Sequence, residues 1–327
     1  MNKMKIIQIG VGGFGASWLD IVASSKEWEI VGIVDVNEEI LKKSVEKYPF
    51  LEGKTFKSLK DCLKKVKADA ILNVTPPKFH KEISILALKE GLHVLVEKPL
   101  SDTLKNAEKI VEEAEKYKRK LMVSQNYRYN RIPRTIRKLI DDGQIGKISY
   151  CILNFQKGPR FGGFREEMSF PLLIDMSIHH FDLSRYLLGK DPLSVYAESW
   201  NPHWSWFKGD PCVYLIFDFE DDVHFNYAGS WVSVGKDTQW PGIWEIYGDK
   251  GTIIWDNSGI KKIFEGKEEI IEPIKLERED RVLSLYEFYR CLVEDREPET
   301  SGKDNLKSLG MVFKSLESIK KGKKINI

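Results

Sequence analysis

The stretch KIIQIGVGGFG, residues 5–15, decides the fold class of this chain, because its pattern predicts a buried strand that runs into a helix over residues 14–25. Between them Gly10, Gly12 and Gly15 have the spacing G-x-G-x-x-G. The first glycine permits a tight turn, the second lets a pyrophosphate approach the backbone, and the third lets helix and strand pack closely. The stretch therefore predicts that a dinucleotide binds at the start of this helix.

An acidic residue ends the second predicted strand: Asp35 follows the last glycine of the motif by twenty residues. A carboxylate at this place binds ribose hydroxyls and repels a 2′-phosphate. Neither Val36 nor Asn37 has a basic side chain that could bind that phosphate, although Lys42 and Lys43 are close in sequence. We therefore expect NAD rather than NADP. A glycine turn beside a solvated aspartate is the weaker interpretation, because strand, glycines, helix, strand and acid are all in register.

Strands and helices alternate through the first 125 residues, which predicts a parallel sheet covered on both faces. After residue 127 short strands dominate, and EDD at 220–222 separates two of them like a hairpin. We predict an α/β domain over residues 1–126 and an α+β domain with a mostly antiparallel sheet over residues 127–327. The last predicted helix, residues 304–321, is a candidate to pack back on the first domain.

Two further strand ends carry polar residues, in NVTPPKFH at 73–80 and HVLVEKPLS at 93–101. In open α/β sheets ligands bind outside the carboxyl ends of the strands. The two prolines and the threonine of the first segment predict a rigid loop over the same crevice. Glu97 and Lys98 of the second are expected to face the nicotinamide half of the cofactor.

The helix predicted over residues 174–189 contains Asp175 and His179, which are four residues apart and so project from one face. Asp182 is one turn further along that face. A surface salt bridge would be the ordinary interpretation of such a pair. His180 belongs to an apolar stripe and is expected to be a packed, structural histidine.

Hydride transfer from a carbinol needs a nicotinamide within reach and a group that takes the hydroxyl proton. The pKa of free histidine, about 6.5, suits that task, and a carboxylate can orient the ring and stabilise its cation. A lysine in a partly buried crevice can polarise the same oxygen. Lys98, Asp175 and His179 together therefore favour a catalytic interpretation over a surface salt bridge.

Bulk composition sets the remaining expectations. With 327 residues, 42% of them hydrophobic, and a net charge of +2, the chain is expected to form two globular domains and shows no nucleic-acid footprint. The four cysteines are far apart and form no C-x-x-C pair, so neither a metal site nor a disulfide framework is expected. Without a signal peptide or a long apolar run, we expect a cytoplasmic protein with no membrane partner.

The motifs GVGGFG, TPPKFH, EKPL, QNYRYN and DMSIHHFD occur in the order and spacing of one family. In them the chain resembles the glucose–fructose oxidoreductase, inositol dehydrogenase and rhizopine-catabolism (Gfo/Idh/MocA) family over nearly its whole length. The resemblance implies an amino-terminal Rossmann domain and a carboxyl-terminal domain with a large open sheet, often used for oligomerisation. It also implies NAD(P)-dependent oxidation or reduction of sugars, polyols and related cyclic alcohols. An open, aromatic-rich sheet leads us to expect a homodimer or homotetramer.

The resemblance assigns roles residue by residue. Lys98 would bind and polarise the reacting hydroxyl, His179 would be the acid/base, and Asp175 would orient substrate or His179. Asn126 and Arg128 would line the crevice near cofactor and substrate. The full set of expected cofactor contacts is Gly10, Gly12, Gly13, Phe14, Gly15, Asp35, Thr75, Pro76, His80, Glu97, Lys98 and Asn126.

One departure from the family concerns the approach to the pocket. Many members carry consecutive glycines just before the aspartate-bearing helix, where this chain has SFPLLID, while Gly162 and Gly163 lie earlier. In the segment WNPHWSWFKGD at 200–210, Trp204 and Trp206 are candidates to stack on a sugar, with core or interface packing as the alternative. Because the glycines before the aspartate-bearing helix are absent, we expect the approach to the pocket to be reshaped.

Three functions stay open on the sequence alone. The first is an NAD-dependent dehydrogenase acting on a sugar, polyol or cyclitol. The second is a glycosidase that holds NAD tightly, oxidises a sugar hydroxyl, eliminates the aglycone and reduces the sugar again. The third is a non-catalytic NAD-binding regulator. The presence of Lys98, Asp175 and His179 together favours the first.

Overall fold

A computed structural model describes residues 3–235 and 237–327, which divide into two units. Unit 1 contains the residues up to Asn126 together with Arg278–Leu306. Unit 2 contains Tyr127–Glu277 and Lys307–Ile327. No helix within the described ranges has the length and apolar character needed to cross a membrane.

The first 126 residues alternate strands and helices, as their sequence predicts. The elements are β1 (Met4–Ile9), α1 (Phe14–Ser24), β2 (Trp28–Val34), α2 (Glu38–Lys47), β3 (Thr55–Phe56), α3 (Leu59–Leu63), β4 (Ala70–Asn73), α4 (His80–Lys89), β5 (His93–Glu97), α5 (Leu104–Lys116) and β6 (Leu121–Ser124). The six strands form a parallel sheet with the order β3-β2-β1-β4-β5-β6. This is the doubly wound order, in which the carboxyl ends of β1 and β4 meet at the switch point.

Local sequence explains why these elements begin where they do. The Asn37 side chain accepts a hydrogen bond from the backbone N–H of Glu39 at 2.9 Å and thereby caps α2. Strands β4, β5 and β6 are almost entirely buried, which agrees with their continuous apolar runs. The predicted parallel sheet is thus confirmed.

The remaining residues form a second set of elements. They are α6 (Arg131–Asp141), β7 (Ile148–Gln156), a π-helical turn (Leu172–Met176), α7 (Ser177–Leu188), β8 (Pro192–Trp200), β9 (Cys212–Phe219), β10 (Val223–Ser230), β11 (Ile243–Gly248), β12 (Thr252–Asp256), β13 (Gly259–Phe264), β14 (Lys267–Ile271), α8 (Asp280–Val293), α9 (Gly302–Lys321) and β15 (Ile325–Asn326). Of these, α8 belongs to unit 1.

Unit 2 is organised around a nine-stranded sheet with the order β14-β13-β12-β11-β7-β10-β9-β8-β15. Only the pair β7 and β10 is parallel among the described strand pairs of this sheet, so the predicted mostly antiparallel sheet is confirmed. The predicted hairpin across residues 220–222 joins β9 to β10. Trp231, Trp244 and Trp255 are each at most 2% exposed and therefore belong to the core.

The segment that returns to unit 1 is not the last helix, which the sequence analysis predicted to return. Residues 278–306 return, and they are held by stacking of Phe288 on Trp28 at 5.6 Å and by a bond from the Val123 N–H to the Thr300 carbonyl at 2.8 Å. Most of α9 instead belongs to unit 2, where the Ser318 hydroxyl accepts from the Ala197 N–H at 3.0 Å. The helix expected to return therefore lies mainly in unit 2.

Candidate functional site

The candidate residues fall into two groups, one in each unit. In unit 1 the glycine loop joins β1 to α1. Gly10 has a φ of +82°, and a Cβ there would lie 2.9 Å from the Val74 backbone. A Cβ on Gly15 would lie 2.2 Å from the Gly10 carbonyl oxygen. Strand, turn and helix are therefore packed too closely at both positions for a side chain.

The start of α1 is shaped to receive an anion. Gly13, with a φ of +50°, precedes the helix, and no side chain among the described residues caps it. Backbone N–H groups at an uncapped helix start are available to phosphate, and the helix dipole favours negative charge there. The glycine loop thus fits the pyrophosphate of a dinucleotide, as its motif predicts.

Asp35 lies at the end of β2, beside the glycine loop. One carboxylate oxygen accepts from the Val11 N–H at 3.1 Å, and the other accepts from the Asn37 N–H at 3.0 Å. These two backbone donors hold the carboxylate in place. The geometry gives Asp35 a fixed position next to the loop that would carry the adenosine half of the cofactor.

A buried histidine ties the next two strand ends together. The His80 ring nitrogens lie 2.6 Å from the Thr75 carbonyl oxygen and 2.9 Å from the Pro99 carbonyl oxygen. Burial lowers the pKa of His80, although the carbonyls facing its ring oppose that shift. His80 therefore couples the loop after β4 to the loop that contains Lys98, and its contacts in the structure are with backbone.

The segment after β5 explains why an apolar strand ends on Glu97 and Lys98. The Glu97 carboxylate is buried and accepts from the Trp18 indole N–H at 2.7 Å and from the Lys98 backbone N–H at 3.0 Å. Burial raises the pKa of Glu97, and the bond from Trp18 opposes the shift. Glu97 thus fixes the backbone from which the half-buried Lys98 projects at the carboxyl edge of the sheet.

Asn126 closes the same edge at the end of β6. Its amide donates a hydrogen bond to the carboxylate of Asp280, the first residue of α8. Asp280 has a φ of +56°, a backbone conformation that aspartate tolerates better than most residues. Asn126 therefore joins the dinucleotide-binding sheet to the returning segment 278–306.

In unit 2 Asp175 and His179 occupy a modified helix. Asp175 lies in the π-helical turn Leu172–Met176, and the regular helix α7 starts at Ser177. The prediction placed both residues in one regular helix, and this is corrected, because the backbone of residues 172–176 is π-helical. A π turn inserts extra backbone into a helix and is often found at functional sites.

Two side chains that the sequence analysis did not single out hold this pair. The Arg165 guanidinium donates to the Asp175 carboxylate at 2.6 Å. The ring of Tyr127 stacks on His179 with 4.6 Å between centroids and 20° between planes. Arg165 and Asp175 are ten residues apart, and Tyr127 and His179 are 52 apart. Tyr127 belongs to the QNYRYN motif, so its place beside the expected Asn126 and Arg128 was the one signal available.

Arg128 was expected to contact substrate, but the structure places it in the interior of unit 2. Its guanidinium makes two bonds, of 2.6 and 2.7 Å, to Asp182, and their side chains are only 6% and 1% exposed. The Ser308 hydroxyl donates to the same carboxylate at 2.8 Å. This buried pairing supports a structural role for Arg128, and its expected place near the substrate stays a prediction.

The neighbouring histidine has the structural character that its sequence predicts. The His180 ring nitrogens lie 3.1 Å from the Tyr227 hydroxyl and 2.9 Å from the Trp240 carbonyl oxygen. Burial lowers the pKa of His180 to about 4. His180 is therefore a neutral, hydrogen-bonded core residue.

The tryptophan-rich segment supports the long loop before the π turn. The Trp206 indole N–H donates to the Pro159 carbonyl at 3.2 Å, and the Arg160 guanidinium lies 4.2 Å from the Trp206 ring centroid. The Trp204 indole N–H donates to the Val232 carbonyl at 3.1 Å, and its side chain stays 54% exposed. Trp206 thus packs against the loop that carries Arg165, while more than half of the surface of Trp204 is exposed to solvent.

Comparison with protein families identifies the chain. A family model described as an oxidoreductase family with an NAD-binding Rossmann fold matches residues 4–125, and a model of the GFO/IDH/MocA C-terminal domain matches residues 134–254. The chain belongs to the Gfo/Idh/MocA oxidoreductase family. The predicted family and the predicted NAD-binding Rossmann fold are thereby confirmed.

Individual relatives agree with this membership. The chain is 28% identical to an uncharacterised protein, y4oX, of Sinorhizobium fredii over 99% of this chain and 95% of that protein. It is 28% identical to the myo-inositol 2-dehydrogenase of Thermotoga maritima over 60% of this chain and 58% of that enzyme. An oxidoreductase from Agrobacterium radiobacter, solved with NAD+, L-tartaric acid and magnesium, has a TM-score of 0.90, with 99% and 98% of the two chains covered at 20% identity, which shows the shared fold.

Proposed function

We propose that this oxidoreductase transfers a hydride between NAD and a CH–OH carbon of a sugar, polyol or cyclitol. The observation that carries the proposal is the position of Lys98. It follows β5 at the carboxyl edge of the same sheet that bears the glycine loop, and the buried Glu97 fixes its backbone. An ammonium group there is suited to bind the oxygen at which the substrate reacts.

Three side chains divide the work in this proposal. When bound, NAD supplies the acceptor of the hydride that leaves the carbinol carbon. The Lys98 ammonium donates hydrogen bonds to the substrate oxygen and stabilises negative charge on it. A ring nitrogen of His179 takes the hydroxyl proton as the carbon becomes a carbonyl, and returns it in the reductive direction. Asp175 orients the substrate or His179.

The two contacts found in unit 2 give this assignment a physical basis. Stacking on Tyr127 restricts rotation of the His179 ring, so a proton acceptor is held in one orientation. Pairing with Arg165 fixes the position of the Asp175 carboxylate through a charge-assisted hydrogen bond. Arg165 acts through Asp175 and is, in this proposal, a positioning residue.

We propose NAD rather than NADP as the physiological cofactor. Both carboxylate oxygens of Asp35 are held by backbone N–H groups at the end of β2. A fixed carboxylate there accepts hydrogen bonds from the ribose hydroxyls and repels a 2′-phosphate. Thr75, Pro76, His80, Glu97 and Asn126 shape the cofactor pocket in this proposal, with His80 and Glu97 acting through backbone they hold.

We also propose that two or more copies associate through the open sheet of unit 2. Strands β7, β8 and β9 expose large apolar side chains on one face, with Tyr150, Tyr196, Ile216 and Tyr214 between 37% and 58% exposed. Tyr150 also stacks on Tyr247 with 4.4 Å between ring centroids. An extended aromatic face of this kind is typical of contacts between subunits. A homodimer or homotetramer is the proposed assembly.

The experiment is an absorbance assay of NADH formation with purified protein, NAD or NADP, and a panel of monosaccharides, polyols, cyclitols and glycosides. We expect NADH with NAD and one substrate class. Silence across the panel from protein purified with NAD bound would contradict net oxidation, and release of an aglycone without net NADH would then establish the redox-neutral glycosidase. NADH binding without turnover on either kind of substrate would point to the regulator.

A further inference from the structure

The beginning of α8 places a cation at the beginning of α1. The Arg281 guanidinium lies 4.7 Å from the centroid of the Phe14 ring and 5.4 Å from that of Trp18. It also donates a hydrogen bond to the Ser17 hydroxyl at 2.8 Å. Phe14 is the first residue of α1 and directly follows the glycine loop. All these residues belong to unit 1, although Arg281 is separated from Ser17 by 264 positions in the sequence.

This cation stands where the loop already favours negative charge. The first turn of α1 lacks a side-chain cap among the described residues, and the helix dipole attracts anions to the same place. A carboxylate oxygen of Asp280 lies 3.9 Å from the guanidinium, and the same carboxylate accepts a hydrogen bond from Asn126. The charge of Arg281 is therefore only partly compensated within the protein.

We propose that Arg281 binds the pyrophosphate of NAD and is a cofactor-binding residue contributed by the returning segment. A guanidinium carries five N–H donors, of which the contact with Ser17 uses one, and its planar fork matches phosphate oxygens. The rings of Phe14 and Trp18 hold that fork in place before the cofactor arrives, which reduces the entropy lost on binding.

The same contacts connect the pyrophosphate end of the cofactor with Lys98. Arg281 lies over Trp18, the Trp18 indole N–H donates to Glu97, and Glu97 accepts from the Lys98 backbone N–H. Each step is a direct contact within unit 1. Arg281, the proposed phosphate-binding residue, therefore also contacts Trp18, whose indole N–H donates a hydrogen bond to Glu97.

The test measures the binding of ADP-ribose, which carries the pyrophosphate of NAD but no nicotinamide. Its result therefore does not depend on turnover. We would titrate wild-type protein, Arg281→Gln and Arg281→Lys with ADP-ribose by calorimetry, and with adenosine by displacement of ADP-ribose. Arg290→Gln is the matched control, since Arg290 lies on the same helix with its side chain 46% exposed and paired with Glu294. This test rests on NAD binding in unit 1 and is independent of the substrate proposal.

We expect Arg281→Gln to bind ADP-ribose about 10-fold to 100-fold more weakly, the range for losing one charge-assisted contact with phosphate. Adenosine affinity should stay within about twofold, and the affinity of the variant for ADP-ribose should fall less steeply with salt than that of wild type. Arg281→Lys should show a smaller loss, and Arg290→Gln none.

Three results would overturn the proposal. If wild-type protein does not bind ADP-ribose, unit 1 has no pyrophosphate site for Arg281 to contribute to. Unchanged ADP-ribose affinity in Arg281→Gln would show that Arg281 does not contact the phosphates. Equal losses for ADP-ribose and adenosine would show that Arg281 acts by packing α8 on α1. If Arg281→Gln does not fold, Arg281→Met decides by the same three comparisons, because it removes the charge and keeps an apolar chain against Phe14 and Trp18.

Discussion

The two groups of candidate residues are held in place by different kinds of interaction. In unit 1 the backbone sets the positions, through the close packing of Gly15 on Gly10 and the backbone bonds to Asp35. In unit 2 Asp175 and His179 rely on side chains from other elements, Arg165 and Tyr127. Backbone-determined geometry leaves a sequence motif, whereas geometry held by side chains depends on which loops the fold brings together.

The largest expected effect tests how unit 2 is held. Arg128→Met should lower the free energy of unfolding by about 3–5 kcal/mol, because Asp182 would stay buried without its cation. Urea denaturation measures the change, and Lys138→Met, which breaks an exposed pair with Asp142, should cost less than about 1 kcal/mol. Unchanged stability together with a raised KM would return Arg128 to the substrate-binding role.

A pH dependence should follow from the buried histidine beside His179. Burial lowers the pKa of His180 to about 4 in the folded protein, whereas the pKa of this histidine in the unfolded chain is about 6.5. Between these two pH values His180 is protonated in the unfolded chain and neutral in the folded protein. Stability is therefore fully present above about pH 6.5 and lost as the pH falls towards 4, by up to about 3 kcal/mol from this residue.

The measurement compares urea unfolding of wild type and His180→Gln between pH 7 and 5. The variant should lose less stability over that interval than wild type does. His93→Gln is the matched comparison in unit 1, where burial also lowers the pKa of a histidine to about 4. Parallel curves for wild type and His180→Gln would show that His180 is not neutral in the folded protein.

Glycine substitutions compare backbone packing in the two units. Gly15→Ala should cost about 1–3 kcal/mol and weaken NADH binding, because its Cβ would lie 2.2 Å from a backbone oxygen. Gly310→Ala, in α9, meets its nearest neighbour at 3.6 Å and should stabilise the protein by about 1 kcal/mol or less. Thermal unfolding and NADH titration measure both. A tolerated Gly15→Ala would contradict the account of the glycine loop.

The smallest effect concerns Arg165. Arg165→Gln should lower kcat about 10-fold while leaving NADH affinity unchanged, because Asp175 loses the partner that positions it. Arg165→Lys should recover part of the rate. Lys208→Gln, which breaks an exposed pair with Glu167, is the control and should have wild-type kinetics. A change in KM alone would mean that Arg165 binds substrate directly.

The contrast between positions set by the backbone and positions set by distant side chains explains which features could be predicted from the sequence. The glycine loop, Asp35 and the Asn37 cap follow from local rules, so the first sheet and its cofactor edge could be predicted. Arg281 could not, because only the folded chain brings α8 to α1 across more than 260 residues. The π turn was hidden because its apolar residues continue an ordinary helical pattern. The structural role of Arg128 depends on Asp182, 54 residues away.

The most direct test of the central claim is to measure turnover and cofactor binding in Lys98→Ala, with the substrate class that the panel identifies. If Lys98 polarises the reacting oxygen, kcat/KM should fall about 100-fold or more, while the NADH dissociation constant stays within about threefold of wild type. His179→Ala should behave in the same way. Full turnover in Lys98→Ala would contradict the proposed mechanism.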